Sequence, residues 1–226
     1  MTLGHPRAHR AVCDSTNRVA RSLAERGAAH GTVVTADEQT AGRGRGGRSW
    51  AAPAGSSLLM SVVVRGPDEL LSLRAGVALA DVLSGHGLDP VAIKWPNDVW
   101  VDRRKVAGIL VEGRPQEGWA VLGMGINVAA SPPDLGDRAT SIAEAGGTLT
   151  VPSLYAPLIE ALDRRLAEAP PEALSAWREL DALTGTGIGW DGGAGTALGI
   201  DDRGRLIVDT PGGRVALDAG EVHLSR

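Results

Sequence analysis

Four β-prone runs between residues 91 and 128 follow one another with very little chain between them. The connecting stretches are a proline turn at 95–97, a turn at 102–104 and another near 116–118. Parallel strands need a crossover of about a dozen residues or more, whereas antiparallel neighbours can be joined by a tight turn. The spacing therefore predicts an antiparallel sheet in an α+β fold and argues against a doubly wound one.

The pattern of apolar residues extends this prediction along the chain. Apolar residues that recur every three or four positions indicate helices, and runs of β-branched and aliphatic residues indicate strands. The predicted helices are 15–27, 67–85, 152–168 and 171–182, and the further predicted strands are 31–37 and 57–65.

Glycines become frequent beyond residue 183, where four short β-prone runs are separated by tight turns. This composition predicts a small β-barrel of about forty residues that packs on the main domain. We therefore predict two domains, 1–182 and 183–226. The predicted barrel strands are 196–200, 205–210, 214–217 and 221–224.

The overall composition limits the classes of function. Hydrophobic residues make up 43% and charged residues 22% of the 226 positions, as in soluble globular proteins. The net charge of −4 argues against bulk affinity for nucleic acid. Cys13 is the single cysteine, as expected in a reducing compartment, and no run approaches the roughly 18 apolar residues of a membrane span. The sequence predicts a cytoplasmic protein that binds neither DNA nor membranes.

Residues 42–50 form the most distinctive stretch, here called the arginine loop. Its first seven residues comprise four glycines and three arginines. Glycine lets backbone N–H groups approach an anion, and arginine donates several hydrogen bonds to it. We predict a loop that is mobile alone and closes over a small anionic ligand. By itself the stretch is also compatible with a dinucleotide fingerprint, an RGG-type segment or a flexible surface loop, although Pro53 disfavours the helix that a dinucleotide fingerprint requires.

Further motifs accompany the arginine loop in a fixed order. Three small polar residues stand at a predicted helix start, where helix capping alone is an open alternative. The other motifs are two lysine-containing stretches and a strand that alternates glycine with apolar residues. The motifs are Ser15-Thr16-Asn17, Gln39, Lys94-Trp95-Pro96-Asn97-Asp98, Lys105-x-Ala107-Gly108-Ile109-Leu110-Val111-Glu112 and Gly123-Met124-Gly125-Ile126-Asn127-Val128. In this combination the chain closely resembles the biotin protein ligases over nearly its whole length.

The resemblance implies a fold: a mixed, largely antiparallel sheet backed by helices, as in the class II aminoacyl-tRNA synthetases, followed by a C-terminal SH3-like barrel. Here the glycine-rich stretch 184–196 is expected to replace the first strand of that barrel. About fourteen residues precede Ser15, too few for the DNA-binding domain of the repressor members, so the resemblance is to the monofunctional type.

The resemblance also implies an activity: biotin and ATP form biotinyl-5′-AMP, and biotin then passes to a lysine of a carboxylase carrier domain. ATP with Mg²⁺ would be required, with no tightly bound prosthetic group and no identified metal ligand. The protein is expected to be a monomer or a weak homodimer. A lipoate-type ligase and a non-catalytic biotin-binding module are the alternatives.

Roles for individual residues follow from the resemblance alone. Lys105 and Arg45 would be catalytic, and Trp95 would belong to the core. The biotin-binding set would be Ser15, Thr16, Asn17, Gln39, Arg43, Gly44, Arg45 and Lys105. The ATP or adenylate set would be Arg48, Trp50, Lys94, Asn97, Asp98 and Asn127, with core packing as an equal alternative for Trp50. Glu112 is left open between a magnesium ligand and a partner for an arginine.

Overall fold

A seven-stranded sheet forms the centre of the computed structural model, which describes residues 3–218 and 220–224, without the side chains of residues 114 and 115. Its strands are β1 (Arg7–Cys13), β2 (Val33–Gln39), β3 (Ser57–Arg65), β4 (Val91–Lys94), β5 (Asp98–Val101), β6 (Arg104–Arg114) and β7 (Trp119–Asn127). They lie in the order β1-β2-β3-β7-β6-β5-β4. β1 and β2 are parallel, and every other neighbouring pair is antiparallel, which confirms the predicted mixed, largely antiparallel sheet.

Strand β1 is the one element of this sheet that the sequence did not predict. Its residues, RAHRAVC, are mostly exposed and include no large apolar side chain other than Val12, because β1 is an edge strand with one neighbour. Hydrophobic periodicity cannot reveal a strand that buries little apolar surface.

Four helices cover the sheet unequally: α1 (Thr16–Glu25), α2 (Leu71–Gly85), α3 (Val151–Leu166) and α4 (Pro170–Glu179). Helices α2 and α3 pack with one face of the sheet to form the main core. Helix α1 covers only part of the other face, where it packs against Trp119 and Val121 of β7. Further along β7 the same face carries Gly123, which lies against the first turn of α1, and then Gly125 and Asn127. None of the helices within the described part of the chain has the length and hydrophobicity of a membrane span.

The C-terminal region forms a separate five-stranded antiparallel sheet, which matches the predicted small β-domain. Its strands are β8 (Gly187–Trp190), β9 (Gly193–Ile200), β10 (Leu206–Thr210), β11 (Gly213–Leu217) and β12 (His223–Leu224), in the order β11-β10-β9-β8-β12. The expectation that stretch 184–196 replaces a strand is wrong, because it forms β8 and the start of β9. Gly195 allows β9 to approach β10 closely, since a Cβ on this residue would lie 2.8 Å from the side chain of Val208 on β10.

One hydrophobic cluster joins this second sheet to the main domain. Trp95, which precedes β5, and Trp177 of α4 are buried against Ile188 and Leu206 of the second sheet. The indole N–H of Trp95 also donates to the main-chain oxygen of Gly204 over 3.0 Å. Trp95 is therefore a core residue, as the sequence indicated. The boundary between residues 182 and 183 stays a prediction.

Arg74 is a buried charged residue on α2, with only 3% of its surface exposed. From α2 its guanidinium donates to the main-chain oxygens of Arg165 and Glu168, over 2.9 and 2.8 Å, at the end of α3. It also pairs with Asp68 at 3.1 Å. One buried side chain thus satisfies carbonyl groups that a helix end leaves without intrahelical partners.

We expect Arg74→Leu to lower the free energy of unfolding by about 3 kcal/mol, because it leaves these carbonyl oxygens without a donor. Urea denaturation followed by tryptophan fluorescence measures the change. Arg21→Leu is the matched control, since the Arg21 side chain is 43% exposed and, among the described residues, pairs with Glu25 one turn away; it should cost under about 1 kcal/mol. Equal losses in the two variants would contradict a structural role for Arg74.

Candidate functional site

A cavity of about 190 Å³ lies between the arginine loop and the part of the sheet that α1 leaves open. Its floor consists of β6 and β7, its lid is the arginine loop, and the start of α1 closes one end. Pro132 and Leu135, from the loop after β7, contribute at the rim.

Twelve of the fourteen predicted site residues line this cavity, and Lys94 and Asp98 do not. The twelve are Ser15, Thr16, Asn17, Gln39, Arg43, Gly44, Arg45, Arg48, Trp50, Asn97, Lys105 and Asn127. The structure thus brings together residues that are more than a hundred positions apart in the chain. Their individual roles remain predictions.

Polar side chains from α1, β2 and β3 meet at one end of the cavity, here called the polar end. The amide oxygen of Gln39 accepts from the main-chain N–H of Thr16 at 2.7 Å and from its hydroxyl at 3.0 Å. The hydroxyl of Ser61 donates to the amide oxygen of Asn17 over 2.6 Å. Ser15 occupies the N-cap position of α1 but its side chain makes no capping hydrogen bond. Capping alone therefore does not account for this motif.

Cationic side chains gather at the opposite end, here called the cationic end. The ammonium of Lys105 lies 2.7 Å from a carboxylate oxygen of Asp98 and 5.5 Å from the centre of the Trp50 ring. Arg45 donates to the amide oxygen of Asn97 over 3.3 Å. Asp98 therefore belongs to the site through its contact with Lys105, although it does not line the cavity.

Burial changes the electrostatics of two of these cations. It lowers the pKa of Arg45 and that of Lys94 below their ordinary values, and in both cases the negative charge of Asp98 opposes the shift. Lys94 sits opposite Asp98 in the β4–β5 pairing. One carboxylate thus acts on cations from three parts of the chain, which keeps positive charge concentrated beside the cavity.

Glycines make room for the indole of Trp50 above the sheet. Gly108 of β6 and Gly125 of β7 are direct neighbours in the sheet. A Cβ on Gly125 would lie 2.7 Å from the indole nitrogen, and one on Gly108 would lie 2.9 Å from Cζ3 of the same ring. Sequence reasoning quoted these glycines as parts of motifs but assigned them no role. An isolated glycine within a β-prone run was the available signal, because it often marks a close approach.

Two buried polar atoms of the cavity have no hydrogen-bond partner among the residues that the structure describes. They are the indole nitrogen of Trp50, a donor, and the amide oxygen of Asn127, an acceptor. The amide nitrogen of Asn127 is satisfied, since it donates to the main-chain oxygen of Thr140 over 3.0 Å. Because buried polar groups are almost always paired, both atoms point to a polar ligand.

Ser61 is a residue of the polar end that sequence reasoning missed. It is completely buried on β3, within a run that reads only as a hydrophobic strand. Nothing in the sequence distinguishes its hydroxyl from that of the neighbouring Ser57, because only the fold places α1 against β3.

Two protein-family models match the chain. One, described as the biotin/lipoate A/B protein ligase family, matches residues 10–128, and the other, described as the biotin protein ligase C-terminal domain, matches residues 194–225. The first match includes every predicted site residue. The second falls on the five-stranded sheet.

Individual relatives agree with these models. The chain is 36% identical over 212 residues to the biotin–acetyl-CoA-carboxylase ligase of Mycobacterium tuberculosis, covering 85% of this chain and 78% of that protein. It is 35% identical over 235 residues to the enzyme of the same name from Paracoccus denitrificans, covering 92% and 96%. Its structure resembles that of the Aquifex aeolicus biotin protein ligase in complex with biotin and ATP, with a TM-score of 0.84, 26% identity and coverage of 99% and 100%.

We expect Gly125→Ala to displace the Trp50 ring from the sheet, because the added methyl group would overlap the indole. Intrinsic fluorescence should shift to longer wavelength as the ring moves towards water, and the Trp50→Leu background should abolish that shift. Gly85→Ala is the control, since no atom lies within 4 Å of a Cβ at that position, the last residue of α2. An unchanged spectrum for Gly125→Ala would show that the ring does not rest on this glycine.

Proposed function

The chain belongs to the biotin/lipoate A/B protein ligase family and is a biotin protein ligase, and from this we propose how its residues share the reaction. The enzyme activates biotin with ATP to form biotinyl-5′-AMP and transfers the biotin to a lysine of a carboxylase. One observation carries the assignment of roles: a single cavity places a polar hydrogen-bonding end opposite a cationic end. Biotin has the same two ends, a ureido ring and a carboxylate.

The polar end is suited to the ureido ring. That ring has a carbonyl oxygen that accepts and two N–H groups that donate. Ser15, Thr16, Asn17 and Gln39 present hydroxyl and amide groups of both kinds. The bonds between Thr16 and Gln39, and the bond from Ser61 to Asn17, hold three of these side chains in place before a ligand arrives. Such pre-organisation reduces the entropy that binding must overcome.

The cationic end is suited to the chemistry of activation. Attack of the biotin carboxylate on the α-phosphorus of ATP brings two anions together, so positive charge must offset their repulsion. We assign this charge compensation to Lys105 and Arg45. Arg43 and Gly44 of the arginine loop would lie above the biotin chain. The 2.7 Å contact with Asp98 holds the Lys105 ammonium in position. We therefore assign Lys105 and Arg45 as the catalytic residues.

The remaining predicted residues are proposed to bind the nucleotide. The unpartnered atoms of Trp50 and Asn127 supply a donor and an acceptor there, and Arg48, Lys94 and Asn97 supply further donors. The sequence contains no P-loop, so the arginine loop and these side chains must hold the phosphates instead. Mg²⁺ bound with ATP takes most of its ligands from phosphates and water and needs only one or two protein carboxylates. The Asp98 carboxylate is suited to that role, and the described residues contain no cluster of three or more metal-binding side chains.

Transfer is proposed to take place in the same cavity. The uncharged amine of the carrier lysine attacks the acyl carbon, a C–N bond forms, the bond to the phosphate oxygen breaks and AMP leaves. Arg45 would retain the adenylate until the carrier arrives. We propose that residues 1–182 carry both steps and that residues 183–226 form an accessory domain that shares their core.

Mass spectrometry of a purified biotin carrier domain, incubated with this protein and ATP, tests the function directly. Biotin should add its acyl mass to one lysine, whereas lipoate should add nothing. Modification by lipoate would reassign the substrate, and binding of biotin without any modification would reassign the chain as a binding module.

We expect Lys105→Ala to reduce pyrophosphate release at least about a hundredfold, because the variant lacks a cation aimed at the charge of the transition state. The melting temperature should move by only a few degrees, since the ammonium group is partly exposed. Arg10→Ala, an exposed cation on β1, is the control and should keep full activity. Turnover by Lys105→Ala at the wild-type rate would remove Lys105 from the catalytic set.

We also propose that the protein acts in the cytoplasm as a monomer or weak homodimer, without binding DNA or membranes. The net charge of −4 supports this, because nonspecific DNA binding depends on positive charge. Sedimentation at micromolar concentration should give mostly the 23.3 kDa species. A gel shift with DNA from the upstream region of its own gene should show no saturable complex at physiological salt, and a sequence-dependent shift would refute this part of the proposal.

A further inference from the structure

Glu112 is a carboxylate that contacts two lining residues of the cavity, and sequence reasoning left two roles open for it. It lies on β6, and its side chain is 21% exposed. Its two oxygens have different partners: Oε2 accepts from the amide nitrogen of Asn17 over 2.8 Å, and Oε1 lies 3.0 Å from the guanidinium of Arg43. Glu112 therefore contacts the floor of the polar end and the arginine loop at the same time.

The Asn17 side of this contact is fixed from two directions. Ser61 donates to its amide oxygen, while Glu112 and the main-chain oxygen of Leu110 accept from its amide nitrogen. The reversed amide would place its nitrogen against the Ser61 hydroxyl and its oxygen against the Glu112 carboxylate, where two acceptors would repel each other. Glu112 thus decides which atom Asn17 presents to a ligand at the polar end.

The Arg43 side of this contact holds the loop. The backbone bonds from Gly44 to Arg48 and from Trp50 to Gly42 give the loop its own shape, but they do not attach it to the floor at the polar end. The Arg43 side chain makes that attachment by reaching Glu112. Charge-assisted hydrogen bonds of this kind are about twice as strong as neutral ones, so one carboxylate can keep a glycine-rich segment closed.

We propose that Glu112 is a positioning residue that couples recognition of the biotin ring to closure of the arginine loop, an inference that rests on the proposed function. Both oxygens of Glu112 are occupied at the polar end, whereas the Asp98 carboxylate stands at the cationic end beside Lys105. This geometry favours the role of arginine partner over that of magnesium ligand. Loss of Glu112 must therefore affect biotin and the retention of the adenylate, and not ATP.

The variant Glu112→Gln tests this, because glutamine has nearly the same shape without the charge. Titration calorimetry should show biotin binding about tenfold weaker, since one charge-assisted bond is lost on each side. The KM for ATP should stay within about twofold, because the described hydrogen bond and ion pair of Glu112 are with Asn17 and Arg43, both assigned to biotin. Biotinyl-AMP should escape faster, measured as biotin on lysines of an added bystander protein, and amide exchange at residues 42–50 with biotin present should increase.

Arg43→Gln disturbs the pair from the exposed loop and leaves the buried floor intact, so it tests the same coupling if Glu112→Gln folds poorly. It should cause a similar leak, and adding Glu112→Gln to it should increase the leak no further. Glu25→Gln is the control: it removes an exposed carboxylate of α1 whose ion-pair partner within the described part of the chain is Arg21, and every readout should match the wild type.

The outcomes separate this inference from the proposed function. A wild-type protein that forms no biotinyl-AMP would overturn the function itself. An active wild type with Glu112→Gln unchanged in biotin affinity and leakage would overturn only the role of Glu112. A variant whose KM for ATP rises as much as its dissociation constant for biotin would show a general structural loss, and would also overturn the coupling.

Discussion

The close approach of the Trp50 indole to bare backbone on β6 and β7 is the contact on which the site depends. Gly108 and Gly125 are paired across the two strands, and a side chain on either would push the ring away. The ring is held near Lys105, and its segment of chain forms the lid of the cavity. Because Gly108 and Gly125 have no side chain, they leave room both for the cavity and for the indole that holds its lid against the sheet.

Each arginine of the lid is matched to a different part of the molecule. Arg43 meets Glu112 on β6, Arg45 meets Asn97 in the turn before β5, and Arg48 meets Glu221 just before β12 of the second sheet. A loop rich in glycine has little conformational preference of its own, so these contacts decide where it lies. Because the three partners lie in different places, the position of the loop is linked to the polar end, the cationic end and the second sheet.

The sequence by itself determined the sheet class and most of the predicted residues that meet in the cavity. Short turns between 91 and 128 permit only antiparallel neighbours, and the structure has them. The order of the motifs pointed to the family, and twelve of the predicted residues line one cavity. These features were readable because turn length and motif spacing are local properties of the chain. The sequence did not predict strand β1, because an exposed edge strand has no hydrophobic alternation. It did not predict β8 either, because the glycines of β8 suggested a loop.

Only the tertiary structure decided how the charges and polar groups are paired. Asp98 is adjacent to Asn97 in the chain, yet its partner is Lys105, and Glu112 had two open roles until α1 and the arginine loop met on either side of it. In the sequence, Ser61 is one of several serines in apolar strands. Only the packing of α1 on β3 brings its hydroxyl to Asn17. The physical reason is common to these cases. A hydrogen bond or ion pair depends on a distance of about 3 Å between atoms, and for residues far apart in sequence that distance is set by how strands and helices pack.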